Sequence, residues 1–252
     1  LTGHGAIRAL LLRGMLAGLL AGAIAVGFAE LFGEPPIERA IAFEAAHAAH
    51  AEPELVSRAV QRGWGLLVGA GVYGTALGGL FALAFAACHR RIGRLDPRGL
   101  ALALAGVGLV AVVLVPQLKY PANPPAVGEE ATIGLRTAVY FEMIAVSLMS
   151  LALAIVVGIR LVERIGRWNG ALAAAALYLA AAGAVAAALP AIDEVPRDFP
   201  ADLLWRFRIS SFGMQTVLWL ALGLIFGPLA ERVVAAPAPV LPRLRPARRR
   251  RR

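Results

Sequence analysis

Charge is scarce in this chain. Only 16% of its 252 residues are Asp, Glu, Lys or Arg, against about 25% in an ordinary soluble domain. A soluble fold of this length needs a polar coat, and most of the sequence has none. A soluble enzyme and a disordered protein are therefore excluded. Cysteine is nearly absent: Cys88 alone cannot close an intrachain disulfide, which excludes a disulfide scaffold. Motifs are missing too. No G-x-x-x-x-G-K followed by Ser or Thr occurs, so no phosphate-binding loop powers the chain. Neither H-E-x-x-H nor G-x-S-x-G occurs, which removes two common membrane-hydrolase chemistries. No catalytic constellation is found, and the chain is not expected to be an enzyme.

What is present is apolar: 59% of residues are hydrophobic, and the mean hydropathy is +0.71. A spanning helix needs about 20 mostly apolar residues. Six stretches qualify: Gly14 to Phe32, Gly65 to Ala87, Gly99 to Val115, Thr137 to Ile159, Gly170 to Leu189 and Ile209 to Leu229. None alternates with period two, as a membrane β-barrel would require. The expected fold is all-α, a polytopic bundle of six transmembrane helices over residues 1–234. A Pro-, Ala- and Arg-rich tail over residues 235–252 is expected to be disordered. Arg8 and Arg13 before the first stretch resemble the start of a signal peptide, but cleavage would leave an odd number of helices. The first stretch is therefore read as a helix that stays.

The loops alternate in character. Arg90, Arg91, Arg94 and Arg98 follow the second stretch, and Arg160, Arg164 and Arg167 the fourth. The other loops, Glu30 to Arg62, Pro116 to Arg136 and Pro190 to Arg208, are long and rich in acid and proline. The positive-inside rule puts the arginine loops and both termini in the cytoplasm. The inner side then holds 17 Lys and Arg against 3 acids, and the outer side 8 against 13. The formal charge of +9 thus hides an acidic outer face. The basic excess reads as topology, with the arginine tail lying on anionic lipid, and not as a nucleic-acid surface.

Glycines recur at spacing four: Gly14, Gly18 and Gly22, then Gly65 with Gly69, Gly74 with Gly78, and Gly223 with Gly227. Such stripes let helices approach closely, either within one chain or against another subunit or a second copy of this chain.

Chemistry-bearing residues concentrate on the outer side. After Pro35 and Pro36 a short helix is expected through about His50, with Glu44, His47 and His50 at i, i+3 and i+6. Adjacent pairs are then neighbours on one face. Imidazole with carboxylate suits cobalt, nickel or zinc, so this trio is a candidate outer-loop capture site. The alternative is a solvated helix whose histidines bind nothing. Glu30 and Glu34 are candidate pathway carboxylates. Glu142 is the one acid well inside a stretch, where a carboxylate either faces a pathway or closes an ion pair. Its candidate partners are Arg136, Arg206, Arg208 and Gln215. Asp193, Glu194, Asp198 and Asp202 either collect cations or pair with Arg197, Arg206 and Arg208. Cys88 and His89 sit at the inner end of the second stretch.

Four pieces together resemble the CbtA family of probable cobalt transporter subunits. They are G-E-P-P-I-E-R-A-I-A-F-E (Gly33 to Glu44), Y-G-T-A-L-G-G-L-F-A-L (Tyr73 to Leu83), L-K-Y-P-A-N-P-P-A-V-G (Leu118 to Gly128) and D-E-V-P-R-D-F-P-A-D-L-L-W-R-F-R (Asp193 to Arg208). The resemblance runs from about Gly14 to Arg232. It implies a bacterial inner-membrane cobalt importer subunit serving cobalamin biosynthesis, paired with a small single-helix partner, CbtB. Cobalt would be cargo, with no resident cofactor, and no ligand set is carried over. A non-transporting scaffold of a metal-uptake complex is the other reading. An acidic outer face would concentrate cations.

Overall fold

A computed structural model describes residues 4–47, 56–91 and 95–235. His50, Glu52, Glu54, Arg94 and the basic tail from residue 236 lie outside the described residues. Among the described residues every regular element is helical, and six helices are long and apolar enough to cross a membrane. They are the first, Gly5–His47; the second, Arg58–Cys88; the third, Pro97–Lys119; the fourth, Glu130–Ile165; the fifth, Arg167–Ala188; and the sixth, Ala201–Val234.

The helices outrun the apolar stretches, mostly on the acidic side. The first loop expected from Glu30 onward is helical as far as His47. At 1.5 Å per residue the 43-residue first helix is about 64 Å long, twice the hydrocarbon thickness of about 30 Å. Pro35 and Pro36 do not end it. Each proline lacks an N–H and crowds the carbonyl four residues back. The preceding turn, Ala29–Gly33, widens to π geometry and absorbs that misfit. The third helix repeats the device, with a π segment at Leu109–Leu114 just ahead of Pro116. At the other face Asp96 caps the third helix by accepting from Gly99 N at 2.8 Å, with Pro97 in the first turn. The fourth and fifth helices meet at Gly166 alone, whose φ of +83° disfavours any side chain.

Four helices form one core. A Cβ on Gly18 would collide with the Gly74 carbonyl, and one on Gly78 with the Gly14 carbonyl, so the first and second helices touch backbone to backbone. Gly223 and Gly227 of the sixth helix lie against Ala101, Ala105 and Arg98 of the third. Phe81, Phe85, Trp219 and Phe226 fill the centre, with edge-on ring pairs at 5.2–6.4 Å. The glycine stripes thus serve packing between helices except at one pair: Gly65 meets only Val60 of its own helix, and nothing lies near Gly69. Arg13 donates to Leu229 O at 3.2 Å and Arg98 pairs with Glu231 at 2.8 Å, which puts the start of the first helix and the end of the sixth on the arginine-bearing face.

The fourth and fifth helices form a separate hairpin. Gly158 packs on Ala174 and Gly170 on Val162, and Ser147 shares a buried 2.8 Å hydrogen bond with Tyr178. Only 11% of the fifth helix's most apolar window is buried. Between this hairpin and the third helix runs an apolar groove of about 720 Å³, lined by Gly106, Val110, Ile155 and Ala171, with Arg91, Glu163 and Arg167 at its mouth.

Candidate functional site on the acidic face

The acidic ends of the helices are tied together by ion pairs and a small apolar cluster. Glu30, Glu34 and Glu38 recur at every fourth residue across the first π turn. Arg58 and Arg62 recur at the same spacing at the start of the second helix. Arg58 pairs with Glu34, and Arg62 lies 3.2 Å from Glu30, 2.6 Å from Glu38 and 4.0 Å from Glu34. Glu34 is only 4% exposed, a burial that a carboxylate sustains only with such a partner. The two pathway candidates Glu30 and Glu34 are thus engaged by guanidinium groups. Their matching spacing with Arg58 and Arg62 was the sequence signal for this lattice.

The first helix then leans on the third acidic-side loop. Ala40, Val127, Phe199 and Leu203 are buried together. The Phe43 ring meets Phe199 edge-on at 5.0 Å and stacks on His47 at 4.1 Å. Arg39 pairs with Asp202 at 3.4 Å. His47 Nδ1 lies 2.8 Å from Phe43 O, and its Nε2 lies 3.3 Å from Asp198 Oδ2. Glu44 is exposed. Among the described residues no three His, Cys, Asp or Glu side chains gather as a metal centre. Glu44 and His47 are therefore on the same exposed helix as expected, while His50 lies outside the described residues. Asp198, 151 positions along the chain from His47, is the neighbour that helical spacing could not reveal.

A polar cavity of about 580 Å³ lies between the ends of the third, fourth and sixth helices and the second and third acidic-side loops. Arg208 donates to Ala122 O at 3.3 Å and to Asn123 Oδ1 at 3.0 Å. Arg136 donates to Glu129 O at 3.0 Å and lies 3.5 Å from Glu194. A side chain at Gly128, whose φ is +115°, would strike the Arg136 guanidinium. Glu194 accepts from Glu129 N and from Thr132 Oγ1, both at 2.9 Å. These two donors, then the charge of Arg136, hold its carboxyl below the ordinary value, against an opposing contribution from partial burial. The pairing expected for the third loop is thus present in part: Asp202 lies 4.0 Å from the expected Arg206, but it also takes Arg39 at 3.4 Å, and Glu194 takes Arg136.

Gln215 lines this cavity, and its Oε1 is buried without a hydrogen-bond partner. One turn further into the sixth helix Trp219 packs into the space over Gly108. Polar lining ends there, above the ring-filled core.

Glu142 is elsewhere. It is exposed on the fourth helix, does not line the cavity, and forms none of the ion pairs expected with Arg136, Arg206 or Arg208. The next residue, buried Met143, is what faces inward; a one-residue step rotates a side chain by about 100°, which leaves Glu142 on the exposed side. Tyr120, buried just past the third helix, has its phenol pushed up by burial and by the Glu142 charge. At the opposite face His89 stacks on Phe85 at 5.4 Å, and both ring nitrogens are buried without partners. Burial, then the charge of Arg90, pushes its pKa down.

The family model described as "Probable cobalt transporter subunit (CbtA)" matches residues 7–231. No curated protein and no solved structure matches the chain.

Proposed function

The chain belongs to the CbtA family of probable cobalt transporter subunits, and from that premise we propose that it carries cobalt inward across the bacterial inner membrane for cobalamin synthesis. It is a multi-pass subunit of a transporter, acting as a permease component and not as an enzyme. The acidic face is its outer face. The observation that carries this reading is the 580 Å³ polar cavity at the acidic ends of the third, fourth and sixth helices. A cation arriving there meets Asp193 and the unpartnered carbonyl oxygen of Gln215, in a lining where Glu194 is engaged by Arg136 and Arg208 is held by Asn123. The core beneath is closed by Trp219 and Phe226, so passage needs a second conformation or a partner.

The single-helix partner is assigned to the apolar groove between the third helix and the hairpin. Its glycine and alanine lining lets another backbone approach. The arginine tail anchors to anionic lipid on the inner side. Entry is driven by the membrane potential: 100 mV, inside negative, favours a divalent cation by about 4.6 kcal/mol.

The test is radiolabelled cobalt flux into proteoliposomes, with and without the partner. Flux that rises with an imposed inside-negative potential and falls in Gln215→Leu supports the reading. Flux unchanged after collapse of the potential overturns the driving force. The closed core also favours one other reading, a scaffold that moves no metal itself. In that case liposomes holding both subunits show no cobalt flux while the partner is still retained.

A further inference from the structure

His47 is held by Phe43 twice. The Phe43 ring stacks on the imidazole at 4.1 Å, and the Phe43 carbonyl oxygen lies 2.8 Å from Nδ1. A carbonyl oxygen only accepts, so Nδ1 carries the ring proton. In neutral imidazole Nε2 then presents a bare lone pair. That lone pair meets another acceptor, Asp198 Oδ2, at 3.3 Å. Two acceptors held at this distance repel unless a proton or a metal cation lies between them.

The contact does not owe its geometry to the charges alone. Asp198 sits in a turn closed by Phe199 N donating to Pro196 O at 3.1 Å. Phe199, buried beside Leu203, presses edge-on against the same Phe43 ring. Packing of Phe199 on Phe43 therefore brings the chain segments that carry the imidazole and the carboxylate together.

We infer that His47 Nε2 and Asp198 Oδ2 are two ligands of a capture site for a borderline divalent cation of the cobalt, nickel and zinc class. The inference rests on the uptake reading above and names where the ion first binds. Two donors bonded at about 2.0–2.1 Å to one tetrahedral ion stand about 3.3–3.4 Å apart; cis donors of an octahedral ion stand about 2.8–3.0 Å apart. The 3.3 Å separation matches the first and needs a small adjustment for the second. A proton on Nδ1 bound to a main-chain carbonyl is how metal-ligating histidines are oriented. Imidazole with carboxylate suits ions of this class. Two protein ligands leave the remaining positions to water, so the ion can bind and still leave, as conduction requires. The site also bridges the first helix and the third loop, so a bound ion fastens the first helix to the loop whose Ile192, Asp193, Glu194 and Val195 line the polar cavity.

The experiment uses the full chain in detergent with cobalt ion alone as probe, read by equilibrium dialysis and by visible absorption of bound Co(II). His47 and Asp198 side chains are 53% and 62% exposed, so His47→Ala and Asp198→Ala leave packing intact, checked by elution profile. Each substitution is expected to weaken one bound cobalt at least about tenfold, and the double variant to bind at least as weakly as either alone. If Asp198→Ala binds cobalt as the unaltered chain does, the pair is wrong, whatever His47→Ala does. If neither substitution matters, the contact is an imidazolium–carboxylate ion pair. Flux is read separately: intact binding without flux overturns the uptake reading and keeps the site, whereas flux with binding indifferent to both residues overturns the site and keeps uptake.

Discussion

The four-helix core and the fourth–fifth hairpin are equally apolar, yet they are held together differently. In the core, backbones interlock where Gly14, Gly18, Gly74 and Gly78 face one another, and aromatic rings fill the centre. In the hairpin, two glycine contacts, one hydroxyl pair and a small cluster around Ala154, Tyr178 and Ala182 join two helices whose outer surfaces stay bare. The polar cavity and the apolar groove both lie along the seam between these regions. Lipid supplies no hydrophobic drive between helices, so close backbone approach decides which parts move as one. A rigid core with a hairpin along one side is the arrangement in which rocking at the seam could open the basic side of the cavity.

The sharpest way to break this comparison is to make the same substitution in each region. Gly18→Ala puts a methyl against the Gly74 carbonyl, so the first and second helices must part. Overpacking of this kind costs about 1–3 kcal/mol, and here backbone is the obstacle. Gly183→Ala in the fifth helix meets nothing within 4 Å and is expected to stay within about 0.5 kcal/mol of the unaltered protein. Thermal unfolding in detergent measures both. Equal losses would mean that the hairpin is as tightly determined as the core.

A smaller effect probes the hairpin's own fastening. Tyr178→Phe removes the 2.8 Å partner of Ser147, whose side chain has no exposure to fall back on. Such a bond contributes about 0.5–1.5 kcal/mol in general, and about 0.6 kcal/mol on average within membranes. The expected loss is about 1 kcal/mol in the same melts. A change in cysteine cross-linking between Ala174→Cys and Gly158→Cys would show whether the two helices separate there.

The two regions were not equally legible in the sequence. Six spans follow from hydropathy, because twenty apolar residues have few other uses. The helix after Pro35 and Pro36 was legible from its composition. Its continuity with the first span was not, since a π turn leaves no sequence mark of its own. Identical glycine spacings hid different fates: Gly74 and Gly78 lie under the first helix, while Gly69 faces open space. Spacing shows which residues share a helix face and not which neighbour the face meets. The same limit explains the site. Glu44 and His47 were found by periodicity; the acid and arginine rows of the lattice share a spacing in the sequence, but that they meet, like the approach of Asp198 to His47, is set by tertiary contacts from 24 to 151 residues away.

The weakest expected effect separates loop from core by pH. Glu194 holds the second acidic-side loop to the third through Glu129 N and Thr132 Oγ1, beside Arg136. Its carboxyl is held below the ordinary value of 4.5, so the folded state favours the charged form. The resulting stabilisation is complete above 4.5 and is lost as pH falls through the lowered folded value. Glu194→Gln should therefore melt lower than the unaltered protein at neutral pH, and the gap should close once the solution is acidified below 4.5. The gap produced by Gly18→Ala has no titrating group behind it and should persist across the same range. If the Glu194→Gln gap were constant with pH, the carboxylate would not be what joins the loops. The cavity wall would then be held by Arg208 on Asn123 and Ala122, which does not titrate in this range.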